Sequence, residues 1–212
     1  MLGLPPHEKY ATTTEKVLNA PRAYLPAGTT RAQLLQLGWH LLTNYVVRDA
    51  DCHAKNVALY YTALADVAYT PVYDVVTTQA YPCYVTNPPG LSIGWRQTWA
   101  PGKPLARFFN TRLGIAPRDY AQMAERLCES AVEVGHEVIE AAKNEPQWRS
   151  VAKQMVHTWN EGTNTLRSPK RDAGHRGLDA AIKAAGFLDP EPPEPSRTSV
   201  GRSELLAQRR KR

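Results

Sequence analysis

Two polar clusters in the N-terminal half of the chain have residue types and spacing suited to phosphoryl transfer. Asp51 is followed five residues later by Asn56, and a second carboxylate, Asp74, stands downstream. In kinases with this D-x-x-x-x-N spacing, the first carboxylate accepts the proton of the acceptor hydroxyl, while the asparagine and the later aspartate hold the metal ions that bridge the phosphates. The spacing therefore predicts Asp51 as the general base and Asn56 and Asp74 as Mg²⁺ ligands.

The elements around these residues must bring them to one place. Apolar residues recur at helical spacing over 30–47 and predict a buried helix that ends where the first polar cluster begins. After the cluster, β-favouring runs at 57–61 and 67–70 predict a short hairpin. Because a hairpin returns the chain to near its start, Asp74 is expected to lie beside Asn56.

The remainder of the chain predicts a mainly α (α+β) fold. Residues 1–29 are expected to be extended and loop-rich, and 77–104 irregular with one short strand at 91–93. Apolar periodicity then predicts helices over 108–113, 117–143, 146–166 and 178–185, the second of them with Met123, Leu127, Ala131, Val134, Val138 and Ile139 facing inward.

The composition indicates one domain followed by a tail. Residues 1–187 have the apolar content of a packed unit, whereas 188–212 are rich in proline and end in a basic cluster, which predicts a disordered tail. No apolar run reaches the length of a membrane span and no signal-peptide pattern opens the chain, so a cytoplasmic protein without membrane contact is expected. The three cysteines form no C-x-x-C pair and fit reduced thiols.

Two motifs that a complete kinase requires do not occur in these 212 residues. A kinase covers the ATP phosphates with a glycine-rich loop and pairs the nucleotide with a strand lysine, both in its upper, N-terminal lobe. The 13 glycines here are scattered, and no G-x-G-x-x-G or G-x-x-x-x-G-K-[ST] run is formed. The sequence therefore predicts a protein-kinase-like C-terminal helical lobe with a β-hairpin at its catalytic site, lacking the upper lobe.

The motifs resemble a known kinase family. The sequence D-C-H-A-K-N at 51–56, followed by T-P-V-Y-D at 70–74, resembles the C-terminal lobe of HipA-like serine/threonine kinases, the toxins of bacterial toxin–antitoxin pairs. The opening residues 2–10 also resemble that family, in which this segment follows the hinge between the lobes. The resemblance extends to about residue 187.

The resemblance implies a role for each matching residue. Asp51 would be the catalytic base, and Asn56 and Asp74 would hold Mg²⁺. Residues 73–75 would stand where most protein kinases carry D-F-G. Lys55 would add positive charge near the transferring phosphoryl group, and His53 would bind a phosphate or orient the base. The ATP site would be lined by His53, Ala54, Lys55, Asn56, Tyr73 and Asp74.

The chain departs from the family pattern at two places. The family's catalytic loop usually opens Gly-Asn-x-Asp, but here it opens with Arg48 and Asp49. The extra carboxylate of Asp49 would repel the charge on Asp51 unless Arg48 neutralises it. After Tyr10 the family tends to carry an acidic residue and a glycine-rich stretch, where this chain has residues 11–14, A-T-T-T.

These observations leave several functions open. The first is a HipA-like protein kinase lobe that acts on a protein substrate with ATP and Mg²⁺, paired with an antitoxin or a separate N-terminal lobe and inactive alone. The second is a truncated, non-catalytic remnant that binds a nucleotide or a protein weakly. A metal hydrolase built on Asp49, Asp51 and His53 would need further ligands. The net charge of +6 favours phosphate-bearing partners, but the five tryptophans are not interleaved with basic clusters, so direct nucleic-acid binding is not favoured.

Overall fold

The structure is a computed structural model that describes residues 3, 5, 8–26, 30–63, 66–93, 96–99, 102–166 and 177–187. Six α-helices and one β-hairpin organise these residues: α1 Thr14–Asn19, α2 Thr30–Val46, β1 Leu59–Ala63, β2 Asp66–Tyr69, α3 Gly102–Phe108, α4 Pro117–Asn144, α5 Arg149–Leu166 and α6 Asp179–Ala184. The predicted mainly α (α+β) class is confirmed. The predicted tail at 188–212 lies outside the described residues.

Helix α2 leads directly into the loop that carries Asp51 and Asn56. Its apolar face is buried with Leu37, Leu42 and Tyr45 in the larger core, and the helix ends at Val46 directly before the polar run. Both its predicted extent and its burial are confirmed. Helix α5 packs closely against the C-terminal end of α2 at Gly162. No larger residue fits at this position, because a Cβ there would lie 2.1 Å from the Val46 carbonyl oxygen.

The hairpin forms where β-favouring residues predicted it. Strands β1 and β2 are antiparallel, with Leu59 opposite Tyr69 and an irregularity between residues 61 and 63. Two side chains of α2 hold the hairpin. The Gln33 Oε1 atom accepts a hydrogen bond from the Tyr69 backbone N–H at 2.6 Å, and the Gln36 side chain donates to the Thr70 carbonyl at 3.4 Å. A buried helix and an attached hairpin therefore frame the loop between them.

The prediction that residues 1–29 lack regular structure was wrong. Helix α1 begins after Thr13, whose side chain accepts a hydrogen bond from the Lys16 backbone N–H, and Glu15 stands in its first turn. A 3₁₀ turn, Ala20–Tyr24, follows. Helix α1 has only six residues, so it shows too few turns for apolar periodicity to reveal it. Burial of Val17 and Leu18 in the core stabilises it instead.

Two segments that precede α4 differ from their predicted form. Helix α3 starts at Gly102, earlier than predicted, and continues into a π-helical turn, Phe109–Leu113, which ends at Gly114 in the left-handed region with φ 71°. Segment 91–93 forms isolated bridges instead of a full strand.

One residue predicted to face the core of α4 faces solvent. Val134 is 42% exposed, whereas the neighbouring Gly135 is buried. Leu178, at the start of α6, fills the space beside this glycine, and a Cβ there would lie 2.4 Å from the Leu178 Cδ2 atom. The close packing of α6 against α4 therefore requires a small residue at the inward position.

Among the described residues, no helix is both long enough and apolar enough to cross a bilayer.

Candidate active site

The candidate base, Asp51, lies in the loop after α2 and is half exposed, with 50% of its side-chain surface accessible. Two donors from the N-terminal segment reach the same carboxylate oxygen. The Lys9 Nζ atom lies 3.4 Å from Asp51 Oδ1, and the Tyr10 hydroxyl donates a hydrogen bond to it. No described residue donates to Oδ2. Among the described residues, the carboxylate is therefore held through one of its two oxygens.

Asn56 and Asp74 are brought together as the hairpin predicted. The Asn56 Nδ2 atom donates to Asp74 Oδ2 at 2.6 Å and lies 3.4 Å from the Asp74 carbonyl oxygen. The Asn56 Oδ1 atom accepts the His53 backbone N–H at 3.1 Å, which leaves this oxygen a second lone pair. Asn56 is 2% exposed, whereas Asp74 is exposed and adopts a left-handed backbone with φ 53°. A carboxylate and a carboxamide oxygen are ligand types that Mg²⁺ takes from proteins.

His53 is a buried, neutral part of the loop. Its Nδ1 atom accepts the Lys55 backbone N–H at 3.3 Å, which places the remaining ring proton on Nε2. Burial, and then the charge of Lys9, lowers the pKa of His53 below its ordinary value. The Tyr10 ring packs edge-on against the imidazole at 5.4 Å between centroids. These contacts hold the His53 ring in place within the loop that carries Asp51.

Tyr73 and Lys55, two further residues predicted for the nucleotide site, contact each other. The Tyr73 hydroxyl donates to the Lys55 carbonyl at 2.6 Å, which joins the second motif to the first. Burial and the charge of Asp74 raise the pKa of Tyr73, so this hydroxyl stays protonated. The Lys55 side chain is exposed, and Ala54 packs against the larger core.

The Asp49 side chain connects the loop of the first motif to the segment that follows the second motif. It is 2% exposed. One of its oxygens accepts the Asp51 backbone N–H at 2.9 Å, and the other lies 3.5 Å from the Val76 backbone nitrogen, two residues beyond Asp74. Burial, with a smaller contribution from the charges of Asp51 and Asp74, raises the pKa of Asp49 to about 6. Asp49, which departs from the family pattern, therefore serves as a structural acceptor of backbone hydrogen bonds.

Arg48 does not neutralise this carboxylate. Its guanidinium carbon lies 5.0 Å from the centre of the Tyr45 ring and 4.9 Å from that of Trp99, and no described ion pair joins Arg48 to Asp49. These cation–π contacts draw the side chain into the core, away from the carboxylate. Arg48 has φ 56°, and this left-handed turn redirects the chain from α2 into the loop.

Residues far away in sequence hold the backbone of the loop. The Thr78 hydroxyl donates to the Arg48 carbonyl at 2.8 Å and accepts the Ala50 N–H at 2.7 Å. Segment 88–91 packs directly on the loop, because a Cβ on Gly90 would lie 2.3 Å from the Cys52 carbonyl oxygen. The loop that carries Asp51 is therefore held by Thr78 and Gly90 as well as by Lys9 and Tyr10.

Cys52 is not a nucleophile in this arrangement. The residue is 7% exposed, and burial raises the pKa of its thiol to about 12, with Asp49, Asp51 and Asp74 adding to the shift. The thiol therefore stays protonated at neutral pH, and the thiolate is the reactive form. That all three carboxylates act on one thiol also indicates that they converge on this loop.

The metal-hydrolase alternative has no support in the described part of the chain, which holds no group of three or more His, Cys, Asp or Glu side chains arranged to bind a metal ion. Asp49 has both oxygens engaged by backbone donors, and the His53 Nδ1 atom is also occupied. Asp74 is exposed and lies against Asn56, the other residue predicted to hold a cation. A Mg²⁺ ion typically takes one or two carboxylates and completes its shell with phosphates and water, so it does not require a group of three protein ligands.

Sequence reasoning missed Lys9, Tyr10 and Thr78 as members of the site. Lys9 and Tyr10 are 42 and 41 residues from Asp51 in sequence, and only the tertiary structure brings them to its carboxylate. Their one signal was the likeness of residues 2–10 to the family's opening segment. Nothing in the sequence around Thr78 marks it.

One comparison with known proteins identifies the family of this chain. The chain matches the family model of the HipA-like C-terminal domain over residues 1–135, and it therefore belongs to that family. The match includes Asp51, Asn56 and Asp74. A search of curated proteins found no match to the chain.

The buried carboxylate of Asp49 is expected to make stability depend on pH. Its pKa of about 6 in the folded protein lies above the ordinary value, so the folded state binds more protons than the unfolded state between about pH 4 and 6. Stability is therefore expected to fall as pH rises through this window, by roughly 2 kcal/mol from this group. The variant Asp49→Asn carries no such charge, so its stability relative to the wild type should increase with pH and level off above about pH 7.

Urea unfolding of both proteins at pH 4, 5, 6 and 7 measures this difference. Asp66→Asn, the same change at an exposed position of β2, is the control and should show a nearly constant difference. A pH-independent difference for Asp49→Asn would show that Asp49 titrates normally.

Proposed function

We propose that this chain is the catalytic lobe of a HipA-like serine/threonine protein kinase, which transfers the γ-phosphoryl group of ATP to a protein hydroxyl as the toxin of a toxin–antitoxin pair. The observation that carries the proposal is the Asn56–Asp74 hydrogen bond of 2.6 Å. It joins the two motifs of the family, 18 residues apart, on the loop that presents Asp51. Membership of the HipA-like C-terminal family supports the same assignment.

In this proposal Asp51 is the general base. Its half-exposed carboxylate accepts the proton of the protein hydroxyl as that oxygen attacks the γ-phosphorus. Asp49 is unsuited to this role because it is buried and both of its oxygens accept backbone hydrogen bonds. In this proposal, Asp49 therefore has a structural role and Asp51 a chemical one.

The ATP site is assigned to His53, Ala54, Lys55, Asn56, Tyr73 and Asp74. The exposed Lys55 side chain is available to a phosphate, while the Tyr73 hydroxyl fixes the surface through the Lys55 carbonyl. Asn56 and Asp74 would hold Mg²⁺, which when bound neutralises charge that develops on the phosphates. The glycine-rich loop and the strand lysine are assigned to an upper lobe outside these 212 residues, on the same polypeptide or another.

The functional unit proposed here is residues 1–187. The family match ends within α4, at residue 135, but the later helices pack against the site's supports. Gly162 of α5 contacts the end of α2, and the Trp159 Nε1 atom donates to the Thr77 hydroxyl at 2.7 Å, next to Thr78. Helices α5 and α6 are thus part of the scaffold that positions the loop.

Calorimetric titration with ATP tests the site without requiring a substrate. We expect Mg²⁺-dependent binding with a Kd of about 0.1 mM or weaker, because this chain supplies only part of the phosphate contacts. Asp74→Asn, which keeps the side-chain size but removes the charge, should abolish the Mg²⁺-dependent component.

Asp66→Asn, the same change at an exposed position of β2, is the matched control and should bind like the wild type. Sub-micromolar binding would contradict the assignment of missing contacts to an upper lobe. Equal ATP affinity with and without Mg²⁺ would contradict the metal role of Asp74. Mg²⁺-dependent binding without phosphoryl transfer, even with an upper lobe added, would instead support a non-catalytic binding module.

A further inference from the structure

The N-terminal segment is fixed to the catalytic loop by its backbone and its side chains. Residues 8–11 form a turn in which the Ala11 N–H donates to the Glu8 carbonyl at 2.7 Å. The Lys9 carbonyl accepts the Ala54 N–H at 3.4 Å, and the Lys9 Nζ atom lies 4.9 Å from the centre of the Tyr10 ring. The segment therefore has a defined position beside the loop.

Both side chains of this segment act on one oxygen of the base. The Lys9 ammonium and the Tyr10 hydroxyl converge on Asp51 Oδ1. Two donors on one oxygen restrain rotation of the carboxylate, and both hydrogen bonds are charge-assisted. The aromatic contact of Tyr10 with the buried His53 ring restrains the donor itself.

We propose that Lys9 and Tyr10 are positioning residues, which hold Asp51 so that Oδ2 faces the acceptor hydroxyl. This inference rests on the proposed function. In the step concerned, the hydroxyl proton moves to Oδ2, the hydroxyl oxygen bonds to the γ-phosphorus, and the bond from phosphorus to the bridging oxygen breaks. ADP leaves with that electron pair. Correct placement of the base contributes to the rate because a small error in position weakens proton transfer in the transition state.

The test uses the full chain combined with the upper lobe of a HipA-like kinase, with [γ-³²P]ATP as the probe. The measured quantities are the rate of label transfer to protein and water, the KM for ATP and the melting temperature. Tyr10→Phe removes the hydroxyl alone, and Lys9→Met removes the ammonium. Each is expected to lower kcat by about tenfold or more with the KM for ATP changed less than about twofold. Lys9→Arg, which keeps a cationic donor, should recover part of the loss.

Matched controls make the same chemical changes away from the site. Tyr24→Phe alters an exposed tyrosine and Lys16→Met an exposed lysine of α1, and both should retain wild-type kcat. An unchanged kcat in Tyr10→Phe and Lys9→Met would overturn the inference. A raised kcat would also overturn it, because Tyr10 would then block the base. Parallel changes in kcat, KM and melting temperature would show a purely structural role and overturn it as well.

The design separates this inference from the function on which it rests. If the wild type transfers label and Asp51→Ala does not, the proposed function holds, and the Lys9 and Tyr10 variants decide the inference alone. If the wild type with the upper lobe transfers no label, the proposed function fails and the positioning role fails with it.

Discussion

Asp51→Ala is expected to lower phosphoryl transfer by the chain and an added upper lobe by about 10²–10⁴-fold, the usual contribution of a positioned general base. No neighbouring carboxylate can replace it. Asp49 is buried with both oxygens occupied, and Asp74 is engaged by Asn56. Mg²⁺-dependent ATP binding should remain, because the proposed ligands are untouched. Label transfer from [γ-³²P]ATP and calorimetric titration measure the two effects separately.

The variant Asp51→Asn distinguishes loss of the base from damage to the loop. The asparagine keeps an oxygen that can accept the Tyr10 hydrogen bond, yet an amide does not take up the hydroxyl proton. The variant should therefore keep the fold of the loop and be as inactive as Asp51→Ala. Full activity in either variant would remove Asp51 as the base, whereas loss of ATP binding together with activity would indicate a damaged loop.

Gly162→Ala is expected to lower the free energy of unfolding by about 3 kcal/mol, the upper range for overpacking a core. A Cβ at this position would lie 2.1 Å from the Val46 carbonyl oxygen and 2.8 Å from its carbonyl carbon. Both are backbone atoms at the end of α2, so relief requires that α5 and α2 separate. Because the catalytic loop begins just after Val46, phosphoryl transfer should fall as well.

Gly38→Ala is the matched control, since it also replaces a helical glycine. Its Cβ would lie 2.6 Å from the Ile115 Cδ1 atom and 3.1 Å from the Met123 Cε atom. These are the ends of flexible side chains that can move, and alanine favours a helix over glycine by up to about 1 kcal/mol. Its net effect in urea unfolding should therefore stay below about 1 kcal/mol. Equal losses in the two variants would contradict the backbone contact.

Local sequence patterns predicted the elements that frame the site. The period of apolar residues identified α2 and α4 because these helices present several turns to a core, and β-favouring runs identified the hairpin. The short α1 was missed because six residues give no period, and its stability comes from Val17 and Leu18 in the core. Val134 was placed wrongly because the inward position depended on Leu178, which packs there from another helix.

The sequence by itself determined the meeting of Asn56 and Asp74, because a hairpin is a local structure whose return brings its ends together. Only the tertiary structure decided how Asp49 and Asp51 differ and which groups hold the base. Burial separates the two carboxylates, and burial depends on elements far along the chain. Lys9 and Tyr10 reach Asp51 over some 40 residues, a contact that packing of the whole domain creates and that no local spacing encodes.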